Sequence, residues 1–234
     1  MKGKPDSRDN FIWLLGALIL LLFGDALFAQ MELHKGQRLI NLTLMVTMVA
    51  AVWSVSGKEG RWANWKIGMS FIIISLMISD SIIESNFLAL YQLTIIFLFL
   101  SITLHLCWKQ VMFSGMVDGN KIIGAICIYI LIALIWAFAY LIVEHFFPGS
   151  FRGLPQGLWQ QNLEEMTYYS MVTLTTLGYG DITPQQPLAH FLAYMEAITG
   201  IFYTTVLVAS LIGMRMAHYG EKIHHEHEDP DETG

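Results

Sequence analysis

A run of nine residues from Thr173 to Asp181, TLTTLGYGD, combines two glycines, an aromatic residue and a terminal acid. In an ordinary extended chain, successive backbone carbonyls point in alternate directions. Gly178 and Gly180 can adopt positive φ at no steric cost, so they free alternate peptide units to turn the same way. Such a run can line up several carbonyl oxygens to replace the water around an ion. The chemistry would therefore be cation binding by the backbone, with Asp181 adding negative charge at one end.

The run resembles the selectivity filter of the potassium channel family, whose signature is T-x-x-T-x-G-Y-G-D. Filters of this kind bind K⁺ with rings of inward-facing carbonyl oxygens. The resemblance implies a filter made of Thr176, Leu177, Gly178, Tyr179, Gly180 and Asp181, in which the carbonyls of the first four bind K⁺. It also implies that the Thr176 hydroxyl lies at the inner mouth and that Tyr179 points back into the protein and braces the loop.

Two positions depart from the family pattern. Leu177 stands where Val or Ile is commonest, but it contributes mainly its carbonyl, so we expect selectivity to survive. Many potassium channels carry an acid one turn before the filter, and here that position is Val172. Filter behaviour that depends on that acid is therefore in doubt. The alternative interpretation of the whole run is an ordinary loop between two membrane helices.

The composition indicates a membrane protein, because 55% of the residues are hydrophobic and only 14% are charged. A helix needs about 20 mostly apolar residues to cross a lipid bilayer. Six stretches qualify, so we predict an all-α membrane protein with six transmembrane helices. The resemblance adds a re-entrant pore helix and filter loop between the fifth and sixth. The six stretches are Phe11–Ala29, Leu39–Val55, Trp65–Ile83, Phe87–Trp108, Ile122–Val143 and Leu188–Arg215.

Basic residues divide unevenly between the loops and predict the orientation, since cytoplasmic loops are enriched in Lys and Arg. With both termini cytoplasmic, only three basic residues are external: Lys35, Arg38 and Arg152. The same orientation puts the filter loop outside, as a potassium channel in a plasma membrane requires. The basic residues that it places inside are Lys2, Lys4, Arg8, Lys58, Arg61, Lys66, Lys109, Lys121, Arg215 and Lys222.

The chain divides into five parts: a cytoplasmic segment, 1–10; a four-helix unit, 11–109; a linker, 110–120; a pore domain, 121–218; and a His- and acid-rich cytoplasmic tail, 219–234. The fourth stretch contains no Arg or Lys, so the arginine series of a voltage sensor is absent there. Asp25, Asp80 and Glu84 either pair with Lys35 or Arg38, or sense a cation or protons. The tail either binds a divalent metal or is solvated and disordered.

The resemblance assigns further residues of the pore domain to filter support. The predicted pore helix runs from Trp159 to Thr173, with acids at its start that complement the helix dipole. Tyr168 and Tyr169 occupy an aromatic pair behind the filter, where a hydroxyl reaches Tyr179 or Asp181 or the rings simply pack. Glu196, the one acid in the sixth stretch, either braces the filter from behind or extends toward the membrane surface.

Gating and pore-lining residues are also implied by the resemblance. Gly200 lies where potassium channels often have a gating-hinge glycine, and the alternative for it is close helix packing. The expected pore-lining face recurs at helical spacing, and its apolar inner end would close by dewetting. Its members are Ile201, Thr204, Val208, Ile212 and Met216, and Thr175 before the filter is a further expected lining residue.

The filter motif occurs once in the chain, and one loop does not close a ring around an ion. Four copies about an axis would, so we predict a homotetramer. We expect no catalytic centre, no cofactor other than K⁺ as the permeant ion, and no nucleic acid partner for this acidic chain. The rivals are a weakly selective cation channel on the same fold, a non-conducting sensor or accessory subunit, and an alternating-access transporter.

Overall fold

The computed structural model describes residues 10–30, 86–113, 119–155 and 159–228, together with the single residues 68 and 157. Helices dominate this part of the chain. In chain order the elements are α1 (Asn10–Gln30), α2 (Asn86–Phe113), α3 (Gly119–Phe146), β1 (Phe151–Arg152), α4 (Leu163–Leu174), β2 (Thr183–Pro184) and α5 (Pro187–Glu228).

Two helices in the described ranges are long and apolar enough to cross a membrane, over Leu88–Val111 and Asn120–Phe146. A shorter apolar helix covers Phe11–Gly24. These helices support the predicted all-α membrane architecture, and they agree in position with the first, fourth and fifth predicted stretches. The second and third stretches, Leu39–Val55 and Trp65–Ile83, lie outside the described residues, as do Lys35, Arg38, Asp80 and Glu84.

Helix α3 is the centre of the described fold, because α1, α2, α4 and α5 all pack against it. Small residues such as Ala133 and Ala137 are completely buried there and let neighbouring backbones approach. Two polar contacts reinforce the packing. The Cys127 thiol donates to the carbonyl of Phe11 in α1 at 3.6 Å, and the Tyr203 hydroxyl of α5 donates to the carbonyl of Ala125 at 2.6 Å.

Three element boundaries differ from the sequence-based prediction. Helix α4 begins at Leu163, not at Trp159, since the four preceding residues form turns. The predicted linker, 110–120, is helical up to Phe113 and again from Gly119. The sixth predicted stretch ends at Arg215, but α5 continues to Glu228 and includes much of the tail, for which disorder was one of the two alternatives. The tail has no proline before Pro230, and Glu and Lys favour helix.

Candidate functional site

The backbone of the predicted filter alternates in handedness. Thr176, Gly178 and Gly180 have φ of 60°, 55° and 81°, in the left-handed region, whereas Leu177 and Tyr179 between them do not. Both glycines therefore adopt the conformation that the sequence analysis expected of them. Thr176 was not expected there, because a β-branched residue at positive φ is strained by about 1–3 kcal/mol. An alternation of this kind allows successive peptide units to turn the same way, as a row of carbonyl ligands would require.

The first residues of this segment, Thr176 to Gly178, are fixed to the end of α4. The carbonyl of Val172 accepts hydrogen bonds from the backbone N–H of Leu177 at 2.9 Å and of Gly178 at 3.3 Å. The Thr176 N–H donates to the carbonyl of Thr173 at 2.9 Å. The last carbonyls of a helix have no partner within the helix. Here they accept bonds from the filter segment, so the position of α4 sets the position of the filter base.

The other end of the segment, at Asp181, is held by a side-chain pair. The Tyr168 hydroxyl donates to Oδ2 of Asp181 at 2.6 Å, and its ring stacks on Tyr179 with centroids 6.5 Å apart and planes 8° apart. The Ile182 N–H donates to Oδ1 of Asp181 at 2.9 Å. Because both contacts favour the ionised carboxylate, the Tyr168 hydroxyl above all, the pKa of Asp181 lies below its ordinary value. Of the two tyrosines that could reach Asp181, Tyr168 is therefore the one that forms the hydrogen bond.

Tyr168→Phe is expected to make the site more sensitive to acid. The substitution removes the hydroxyl that lowers the pKa of Asp181, so this pKa should rise toward its ordinary value. Ion flux that depends on the ionised Asp181 should then decline at a higher pH on acidification than in the wild type. The measurement is flux against pH in liposomes for both proteins. If flux declines at the same pH in both proteins on acidification, the hydroxyl does not control the pKa of Asp181.

A short loop that contains β1 packs against Asp181, the last residue of the predicted filter. Strands β1 and β2 pair antiparallel, and the N–H of Gln185 donates to the carbonyl of Ser150 at 2.7 Å. Gly153 has φ of 100°, and a side chain there would come within 2.5 Å of the carbonyl oxygen of Asp181. Glu144 at the end of α3 accepts from the N–H of Gly149 at 2.7 Å and of Phe151 at 3.1 Å. The loop is therefore tied both to α3 and to the filter exit.

Behind α4 lies a buried acid. Glu196 of α5 is completely buried and forms hydrogen bonds with Ser170 of α4 and Tyr140 of α3. The side chain points between the helices. It does not extend toward the membrane surface, which was the second of the two alternatives for this residue. It contacts α4 and not the filter residues themselves, so any support it gives to the filter passes through α4.

Aromatic packing surrounds this acid. The ring of Tyr169 lies 5.1 Å from Tyr140 and 5.5 Å from Phe151, each in edge-on geometry. Tyr169 thus packs against α3 and β1, while Tyr168 faces Asp181. Tyr140, Ser170 and Phe151 were not predicted from the sequence. The indication in the sequence was the lone acid Glu196, because a buried carboxyl needs polar partners on the neighbouring helices.

Residues 123–216 of the chain match a known family model. Residues 123–216 match a family model described as an ion channel, and this range holds α4, the filter run and large parts of α3 and α5. The matched range covers less than half of the chain. A curated protein from Aeropyrum pernix, named as a voltage-gated potassium channel, is 33% identical over 85 residues. Those residues are 36% of this chain and 26% of that protein, so the match spans about a quarter of the relative's length. No solved structure matches the chain.

Both findings support the resemblance to potassium channels that the filter run indicates. The matched range, residues 123–216, includes all of the predicted filter, support and lining residues. The first four predicted stretches lie outside this range, and α1 and α2, which coincide with the first and fourth, pack against α3.

Gly200 lies against the end of α4. A side chain at this position would overlap the carbonyl oxygen of Leu174, the last residue of α4. Helix α5 runs through Gly200 without interruption. The structure therefore provides a packing reason for this glycine, the alternative to the gating hinge.

Three of the expected lining residues are exposed in the single chain: Thr175, Ile201 and Thr204. The Thr204 hydroxyl donates to the carbonyl of Gly200 in its own helix at 3.0 Å. Val208, Ile212 and Met216 continue α5, but their side chains lie outside those described, as do those of the His-rich tail. The lining face stays a prediction for these positions.

Proposed function

We propose that the chain is the subunit of a potassium-selective channel that conducts K⁺ passively through a filter formed by residues 176–181. The observation that carries this proposal is the alternating left-handed backbone at Thr176, Gly178 and Gly180. This geometry suits a row of carbonyl oxygens that replaces the hydration shell of K⁺. The match of residues 123–216 to the ion channel family model and the printed name of the Aeropyrum pernix relative support the same function.

The assembly that we propose is a homotetramer around the filter. Every residue from Thr175 to Asp181 is exposed in the single chain, with Leu177 56% and Tyr179 67% exposed. Irregular backbone at membrane depth is tolerated only where protein or a water-filled cavity covers it. Three further copies would cover these residues and close the carbonyl rings. In this assembly α4 is the re-entrant pore helix and α5 the inner helix.

In the proposed topology six helices cross the plasma membrane, both termini are cytoplasmic and Asp181 lies at the outer mouth. The ionised state of Asp181, maintained by Tyr168, would concentrate cations there. At the inner mouth, the C-terminal end of α4 carries partial negative charge and favours a cation in the cavity below the filter.

Purified protein in liposomes tests the proposal. Vesicles loaded with K⁺ should lose it rapidly when protein is present, and matched vesicles loaded with Na⁺ should not. Similar K⁺ and Na⁺ fluxes would favour the weakly selective rival, for which Leu177 is the departure in the filter. If the protein is tetrameric by native mass spectrometry but conducts neither ion under any tested condition, the non-conducting sensor replaces the proposal.

A further inference from the structure

The buried cluster of Glu196, Ser170 and Tyr140 joins three helices at one point. All three side chains are completely buried. Oε2 of Glu196 accepts from the hydroxyl of Tyr140, and Oε1 lies 2.5 Å from the hydroxyl oxygen of Ser170. That same Ser170 oxygen lies 2.7 Å from the carbonyl oxygen of Ala133 in α3.

Counting protons in this cluster distinguishes the two states of the acid. A serine hydroxyl has one proton to donate. If Glu196 is ionised, Ser170 faces two acceptors, Oε1 and the carbonyl of Ala133, and satisfies one of them. If Glu196 carries a proton on Oε1, it donates to Ser170, Ser170 donates to Ala133, and Tyr140 donates to Oε2. Only the protonated state supplies a proton to every short contact.

The charges around Glu196 favour the same state. Helices α3 and α4 and strand β2 pack against α5. Among the described residues, the titratable side chains that interact electrostatically with the acid are the phenols Tyr129 and Tyr140 of α3 and Tyr169 of α4. Strand β2 offers none, and Lys121 lies at the opposite end of α3 from Tyr140. A buried carboxylate without a cationic partner is strongly disfavoured, so the group keeps its proton instead.

We propose that Glu196 is a neutral, protonated carboxylic acid at neutral pH and that its proton ties α5 to Ser170 of α4. Glu196 is then a positioning residue. It fixes the inner helix against the helix that bears the filter, because Val172, two residues after Ser170, anchors Leu177 and Gly178. Loss of the proton at alkaline pH would remove this donor and place an unpaired negative charge behind α4.

The functional consequence rests on the proposed K⁺ conduction, whereas the protonation does not. Flux through the wild type should fall by at least about tenfold at strongly alkaline pH, because an unpaired charge buried behind α4 disfavours the packed arrangement of the helices. Glu196→Gln is the matched variant. Its amide nitrogen donates to Ser170 and its amide oxygen accepts from Tyr140, as the neutral acid does, but it does not titrate.

Two measurements on the full-length protein in membranes test the inference. Infrared spectroscopy with isotope-labelled glutamate should show a carboxylic acid carbonyl band at neutral pH that Glu196→Gln lacks. Flux against pH should show an alkaline decline in the wild type and none in Glu196→Gln. Absence of the band, or an equal decline in both proteins, would overturn the inference. Absence of flux at every pH would contradict the proposed conduction, and the infrared band would still decide the protonation.

Discussion

Replacing Gly178 by alanine is expected to abolish K⁺ flux. Gly178 has φ of 55°, and an alanine there costs about 1–2 kcal/mol per residue in the left-handed region. In the proposed tetramer four copies would carry that cost on one ion path, a total of about 4–8 kcal/mol. Because about 1.4 kcal/mol changes a population tenfold, the conducting backbone would be rare. The measurement is K⁺ flux per reconstituted tetramer.

Gly149→Ala is the matched control for this substitution. Gly149 also has a left-handed φ, 82°, and neither glycine has an atom within 4 Å of an added side-chain carbon. Both variants should therefore lose similar stability, but Gly149 lies in the loop before β1 and not in the filter. Flux per folded tetramer should be kept in Gly149→Ala. Equal flux in the two variants would show that the backbone at Gly178 does not form the ion path.

Gly200→Ala is expected to destabilise the protein and to reduce flux. The added side chain would overlap the carbonyl oxygen of Leu174, so α5 and α4 must separate. Overpacking of this kind typically costs about 1–3 kcal/mol per site. Since the end of α4 holds the base of the filter, the displacement should also disturb conduction. Thermal unfolding of the reconstituted or detergent-solubilised protein measures the first effect, and flux the second.

Gly213→Ala in the same helix supplies the control. Nothing lies within 4 Å of an added side-chain carbon at Gly213. Alanine there should be neutral or slightly stabilising, because glycine weakens a helix by about 0.5–1 kcal/mol relative to alanine. A pure hinge at Gly200 predicts the same small gain in stability for Gly200→Ala, with changed gating. That result would contradict the packing account and restore the hinge.

The sequence was most informative about the filter, because its conformation is locally encoded. Gly178 and Gly180 stand where left-handed φ is needed, and glycine tolerates that region without strain. Thr176 was not predictable in the same way. Its positive φ is imposed by the bond from its N–H to Thr173 and by the anchoring of Leu177 on Val172. An alternation with a period of two residues, extended backward from the glycines, would have indicated it.

Helix positions followed from apolar length, whereas helix ends did not. The apolar stretch Ile122–Val143 lies within α3, but the start of α4 was misplaced by four residues. Asn162 occupies the N-cap of α4 without a side-chain capping bond, so the polar residues before it were poor indicators of the start. Capping patterns mislead in this way when a buried turn precedes the helix.

The partners of Glu196 were beyond prediction from the sequence. Ser170 and Tyr140 are 26 and 56 residues away along the chain, and helix packing alone brings them together. The sequence did indicate that an acid in an apolar stretch needs a reason to be there. It did not indicate which neighbouring helices would supply the hydrogen bonds, because that depends on the crossing geometry of α3, α4 and α5.

The most direct test of the central claim is the reversal potential of the purified protein in a planar bilayer with K⁺ on one side and Na⁺ on the other. If the carbonyls of residues 176–179 select K⁺ over Na⁺, the reversal potential should lie far from zero. Its sign should be the one expected for a membrane permeable to K⁺ and not to Na⁺. The same potential should move toward zero in any conducting filter variant. A wild-type reversal potential near zero would contradict K⁺ selectivity and assign the chain to a weakly selective cation channel.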